Sequence, residues 1–200
     1  SFGADPIVGF FAWNLEMLIW IDEDLELEVV GVAASRDTNH AHRSVADWDQ
    51  AAKFANQIGF PEHQLILRPR DEDDPRVRKD LTDWDSLRTA FEEAFALSEN
   101  GQVFVETDLR AHANPKRMTV IAEAARDLVH KLRRDCPQCN LPGFARVEQV
   151  PGRPCEVCRR PTDAPVAWVY GCLKCPHRET RPLEGMPKFV SPAECPYCNP

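Results

Sequence analysis

The sequence predicts a mixed-sheet α/β or α+β domain followed by a small cysteine-rich domain. Three observations carry that prediction. β-Favouring runs alternate with apolar repeats at three- and four-residue steps as far as Asp135, in the order β-β-α-β-α-β-α. All eight cysteines lie beyond that point, each in a Cys-x-x-Cys pair. From Pro137 onward the chain is turn-rich and dense in proline, so the boundary falls near Asp135, giving segments 1–135 and 136–200.

Taken in order, LEMLIWID (Leu15–Asp22) and ELEVVGVAA (Glu26–Ala34) flank an acidic turn and read as an antiparallel hairpin. Ser44 then stands as the N-cap of a helix whose Val45, Trp48, Ala51, Ala52, Ala55 and Ile58 share a face. Gly59 ends that helix and Pro61 prevents its return. Gln64–Arg68 is a short strand, and RPRDEDDPRVRKD reads as an exposed loop. A second helix covers Trp84 to Ser98, with Leu87, Phe91, Ala94, Phe95 and Leu97 on or near its buried side, and Asn100-Gly101 stops it. QVFVE follows as a strand. The third helix has Asn114 as N-cap and Pro115 at its first position, then Met118, Ile121, Ala122, Ala125, Leu128, Val129 and Leu132. Arg133 and Arg134 sit at its C-terminal end, where the helix dipole favours cations.

Two hundred residues suffice for one substantial core and a small appendage. The net charge of −8 is uneven: residues 1–135 carry 16 Lys and Arg against 26 Asp and Glu, and residues 136–200 carry 8 against 6. An acidic body argues against nonspecific coating of nucleic acid, which depends on neutralising phosphates. The mildly basic tail leaves room for a local contact. Ile7–Ile21, the most apolar window, is too short for a membrane span and is broken by Asn14 and Glu16. No basic segment precedes it as in a signal peptide, so a cytoplasmic protein without a membrane partner is the expectation. Removal of an initiator Met and truncation or processing both account for a chain that starts at Ser1.

The cysteine pairs are Cys136/Cys139, Cys155/Cys158, Cys172/Cys175 and Cys195/Cys198. Two Cys separated by two residues present both sulfurs to one ion from a tight knuckle, and two knuckles close a tetrahedral Cys₄ site. Four knuckles therefore predict two structural Zn²⁺ ions, in a small C-terminal zinc-ribbon domain that folds on its metals. Four thiolates leave no open position for catalysis. VAWVYGCLKCPHRE reads as a strand running into a knuckle, which favours a nested pairing: Cys155/Cys158 with Cys172/Cys175, and Cys136/Cys139 with Cys195/Cys198. Sequential pairing is a close competitor and cross-brace pairing the third. His177 reads as a surface residue.

VFVETDLRAHANPKRM (103–118) crowds charge into one strand-to-helix turn. A helix N-terminus with free amides suits phosphate or carboxylate, and ligands of α/β folds collect beyond the carboxyl ends of strands. Arg110, Asn114, Lys116 and Arg117 are the candidate anion-binding residues. Asp108 and Glu106 suit a base or a Mg²⁺ site, and His112 a general acid. Capping and loop-pinning ion pairs account for some of the same residues.

TDLRAHANPKRM, CPQCNLPGF, GRPCEVCRRPT, YGCLKC and the terminal CPYCNP resemble the bacterial domain-of-unknown-function family 6671. SFGADP, NLEMLIWID, DTNHAH and GFPEHQLIL match its earlier blocks in order, so the resemblance spans nearly the whole chain. It implies a functional role for Asp108, Arg110, His112, Asn114 and Arg117. It also implies that SFG is internal to a longer chain with further α/β structure before it. Lys79-Asp80 departs from the Lys-Gly of the family, which puts a glycine-dependent turn there in doubt. A fainter fold-level likeness is to house-cleaning nucleoside triphosphate pyrophosphatases.

Two functions follow. The first is an enzyme or binding domain for a phosphorylated small molecule or nucleotide, with Mg-dependent phosphate-ester hydrolysis as the activity if it is an enzyme. The second is a non-enzymatic adaptor whose zinc domain docks protein or nucleic acid through Phe144, Trp168, Tyr170, Arg159 and Arg160. Bracing of the main domain is the third role open to the zinc module.

Overall fold

Strands and helices share the chain about as the sequence predicts, in a computed structural model that describes residues 2–4 and 12–199. Asp5 and Pro6 of the SFGADP block, with Ser1 and residues 7–11, lie outside the described residues. The class is α+β: among the described residues the strands form three three-stranded sheets with antiparallel pairing, where the sequence predicts a mixed sheet. The chain forms two compact units. One comprises residues 1–18 and 32–125, the other 19–31 and 126–200.

β1 (Phe2–Ala4) pairs with β2 (Ala12–Asp22), which pairs with β3 (Leu27–Ser35) as the predicted hairpin, whose residues 19–31 belong to the second unit. The alternation on β2 is inverted. Asn14 and Glu16 are buried, while Met17, Ile19 and Ile21 are more than half exposed. The inward carboxylate has a charged partner, described below.

The second sheet places β6 (Val103–Thr107) between β4 (His42–Val45) and β5 (Leu65–Arg68). Val103, Phe104 and Val105 are all buried, as a central strand covered on both faces requires. Against this sheet pack α1 (Trp48–Ile58) and α2 (Trp84–Ala96), through a core that includes Val45, Phe54, Leu65, Leu67, Leu87 and Phe91. Burying each large side chain contributes about 1.5–3 kcal/mol.

The start of α1 differs from the expectation. Ser44 lies in β4, paired with Phe104, and the cap is Asp47, whose carboxylate accepts from the Gln50 amide at 2.8 Å. Gly59 ends the helix as predicted, at φ +87°, where its lack of Cβ is needed. Asp83 opens α2 with a reciprocal capping box with Ser86. The buried face of α2 is Leu87, Ala90, Phe91 and Ala94; Phe95, about 100° round from Ala94, and Leu97, just past the helix, are exposed. The loop from Arg68 to Asp80 also holds a buried group. Asp74 accepts from the Arg76 amide and guanidinium, which hold its carboxyl down to about 2.

α3 (Pro115–Leu132) begins at Asn114, whose Oδ1 accepts from the Arg117 amide at 3.1 Å. Its buried residues are Val120 and Ala124, and the predicted face members Met118 and Val129 are exposed.

The second unit holds β7 (Ala145–Pro151), β8 (Pro165–Gly171) and β9 (Arg178–Pro182), with β8 central. Phe144, Tyr170, Cys136 and Cys172 form its core. Gly143 takes φ +93°, and a Cβ there would meet Val29 and Leu173 side chains at 3.0 and 3.1 Å, so the position requires glycine. The Gly143 and Phe144 amides donate to Lys131 and Arg134 carbonyls at the end of α3. Among the described residues no helix is long and apolar enough to cross a membrane.

Candidate metal centres and the strand-to-helix turn

The eight cysteines collect into two groups, each with its four sulfurs within 4.8 Å of one another: Cys136, Cys139, Cys172 and Cys175; and Cys155, Cys158, Cys195 and Cys198. The closest contacts between knuckles are 3.5 and 3.6 Å in the first group and 3.7 and 3.8 Å in the second. Four sulfurs at about 2.3 Å from a tetrahedral metal stand about 3.8 Å apart, so both sets fit a metal ion. None of the eight is in a disulfide.

The pairing is cross-brace, first knuckle with third and second with fourth, and this corrects the nested arrangement. The reason is the length of β8. Its seven residues span about 23 Å and carry the chain from the second knuckle to the opposite end of the sheet. Ala145 pairs with Gly171, which brings the first knuckle beside the third. β9 then leads back, and a bridge between Cys155 and Val190 brings the fourth knuckle to the second.

Local geometry prepares the sulfurs. Burial would raise the Cys172 thiol, but the Cys175 and Lys174 amides outweigh it and bring it down to about 6. The Cys158 amide likewise draws Cys155 down to about 7. Asn140 and Arg159, the residues after the first two knuckles, take positive φ and donate their amides to the Cys136 and Cys155 carbonyls.

In the turn, nearly every charge already has a partner. Glu106 is paired with Arg68. Asp108 is fully buried and receives the Arg110 amide, Nε and Nη2, the last at 2.5 Å. Arg110 also reaches Asp80 at 2.7 Å. Asp80 takes φ +63°, the conformation a glycine adopts most easily, so this chain makes the expected turn without glycine and gains an ion pair from the side chain. Arg117 holds Glu16 at 2.8 Å and the Leu109 carbonyl at 2.6 Å. Burial would raise the Glu16 carboxyl, and Arg117 more than offsets this, leaving it below its ordinary value. Asn114 joins the Asp108 carbonyl and the Asn39 amide as well as capping α3. Lys116 reaches Asp37 at 2.5 Å, and His112 is exposed on a 3₁₀ turn, Ala111–Ala113. Among the described residues the two cysteine groups are the metal-sized ligand clusters.

Of the candidate residues, Lys116 alone lines the open cleft next to the turn, a space of about 690 Å³. Its other walls come from Asn39, His40, His42, Arg43 and His63, over Phe54 and Ile58. Among the described residues Asn39 Nδ2 and His63 Nδ1 are shielded from solvent without a hydrogen-bond partner. Burial first, then the Lys116 charge, lowers the His63 pKa. Sequence reasoning passed over these residues as site members, although DTNHAH and GFPEHQLIL were both conspicuous blocks.

No curated protein and no solved structure matches the chain. The family model described as Domain of unknown function (DUF6671) matches residues 1–200, and the chain belongs to that family.

Proposed function

We propose that this is a zinc-stabilised protein whose N-terminal unit binds a small phosphorylated molecule in the cleft between β4, the end of α1 and the start of α3. The observation that carries the reading is the donor-rich lining of that cleft, where Asn39, His42, Arg43, His63 and Lys116 stand together. Donors outnumber acidic groups on the walls, where Glu62 is the carboxylate, and this favours an anion. A volume of about 690 Å³ suits a metabolite-sized ligand over an apolar floor.

The turn at 106–117 serves this cleft as scaffold. Arg110 and Arg117 are consumed in holding Asp108 and Glu16, and that rigidity fixes Asn114 and Lys116 at the cleft's edge. Binding is better supported than hydrolysis, because the nearby carboxylates Asp108 and Glu106 are both engaged by guanidiniums.

Zinc suits the two Cys₄ groups because it accepts four thiolates in tetrahedral geometry, and such closed sites stabilise a fold and leave catalysis to other groups. Metal analysis of the purified chain is expected to find two zinc ions.

The test of the cleft is calorimetric titration with inorganic phosphate, nucleoside monophosphates and sugar phosphates, beside their unphosphorylated counterparts. Selective binding of phosphorylated compounds, lost in Lys116→Ala and His63→Ala variants that keep the wild-type melting temperature, is expected. Absence of heat with every phosphorylated compound overturns the reading. So does binding that both variants leave intact.

A further inference from the structure

The cysteine-rich unit carries a second charged surface, on one face of the β7–β8–β9 sheet. Arg146, Tyr170 and Glu179 are directly opposite across the three strands, as are Gln149, Trp168 and Arg181. Opposed residues share a face, and so do positions two apart on β8, so Trp168 and Tyr170 lie side by side beneath the arginines. The guanidinium of Arg146 lies 5.0 Å from the Trp168 ring centroid. Arg134, from the end of α3, and Arg181 lie 5.7 and 4.6 Å from Tyr170. Arg146 Nε also donates to the Tyr170 hydroxyl at 3.1 Å.

A small cavity of about 230 Å³ opens beside this face, between Asp127, His130, Lys131, Arg134, Ala145 and Arg146. Lys131 is engaged by Asp127 at 2.6 Å and by the Val30 carbonyl. Arg181 is engaged by Glu179. Arg134 and Arg146 differ: among the described residues neither has a carboxylate within ion-pair distance. Their positive charge has a neighbouring ring and open space in front.

We infer that this face is a docking surface for single-stranded nucleic acid, with Arg134 and Arg146 taking backbone phosphates at the cavity and the ring-backed guanidinium planes taking bases. Single-strand binders combine a cationic track with flat surfaces for stacking, and guanidinium planes stack bases as aromatic rings do. An arginine laid on an indole is held in orientation before the partner arrives, which lowers the entropy lost on binding. An acidic peptide would satisfy the charges and leave the stacking planes unused. The acidic remainder of the chain confines attraction to this face, so the expected contact is short and salt-sensitive.

The test uses the full zinc-loaded chain and a fluorescently labelled oligodeoxythymidine, followed by anisotropy across a salt series. Each phosphate neutralised contributes about −0.7 to the slope of log K against log salt on a single strand. Arg134→Gln and Arg146→Gln are each expected to flatten the slope by about 0.7 and weaken binding several-fold at low salt. Trp168 fluorescence is expected to change on binding. Arg88→Gln, on the other unit, and the cleft variant Lys116→Ala are expected to leave the titration unchanged. That outcome also separates this inference from the small-molecule site. Zinc content and circular dichroism of each variant confirm that the sheet is intact. Failure to bind at the lowest salt overturns the inference, as does binding unaltered in both arginine variants. Competition by polyglutamate as effective as that by unlabelled oligonucleotide assigns the face to acidic protein instead and equally overturns it.

Discussion

The strand-to-helix turn at 106–117 and the sheet face around Tyr170 are both rich in arginine, and they differ in what answers the charge. In the turn, Arg110, Lys116 and Arg117 reach Asp80, Asp37 and Glu16, carboxylates 30, 79 and 101 residues away in the chain. On the face, Arg134 and Arg146 rest on Tyr170 and Trp168. Charge density in a sequence therefore says little about free charge. A crowded turn can be a fastener, while two arginines in unremarkable surroundings stay available because their neighbours are rings.

Metal removal should break the comparison most completely, because it removes one side of it. Structural zinc in small sites contributes about 10–16 kcal/mol at neutral pH, more than a sheet of this size can replace. A strong chelator, or Cys136→Ser, is expected to abolish the near-ultraviolet dichroism of Trp168 and Tyr170. The α1–α2 core, with Trp48 and Trp84, should keep a cooperative melting transition. Survival of the Tyr170 environment without metal would show that the arginine–aromatic packing holds the sheet by itself.

Arginine truncation gives the next largest effect and sharpens the contrast. Arg110→Ala leaves Asp108 buried without its cation. Losing one partner of a fully buried pair costs about 3–5 kcal/mol, and because Arg110 is one-third exposed we expect about 2–3 kcal/mol. Arg134→Ala removes a cation from a ring face, worth about 0.5–1 kcal/mol. Urea unfolding of the two variants measures both. Equal losses would mean that the face is a fastener too.

Legibility in the sequence followed the range of the forces involved. The Asn114 cap, the Gly59 stop and the ligand identities of all eight cysteines are local features, and each is where the sequence put it. Ser44 failed as a cap because a strand pairing with Phe104 claimed it, leaving Asp47 to start the helix. The knuckle pairing was hidden because it depends on β8 running the length of the sheet between its flanking knuckles. The outward Met17, Ile19 and Ile21 were hidden in the same way. Their strand alternates as expected, but Glu16 faces inward to meet an arginine no local pattern links to it. The cleft was least legible, since its walls are ordinary polar residues from four separate segments.

The smallest predicted effect tests the one place where the turn meets a titrating group. Burial and then the Lys116 charge hold the His63 pKa below its ordinary 6.5, so the folded state favours the neutral ring. The unfolded chain binds the proton more readily. Stability is therefore full above about pH 6.5 and declines as pH falls through that value towards the lowered pKa of the folded state. His63→Gln is expected to remove this part of the slope, read as the difference in urea midpoint between about pH 7.5 and pH 5.5 in variant and wild type. A phosphate seated against the ring would favour the imidazolium and raise its pKa, so saturating ligand should shrink the same slope in the wild type. If the slope disappears in His63→Gln yet ignores ligand, the phosphate lies away from His63, and Lys116 belongs to the turn's fastening alone.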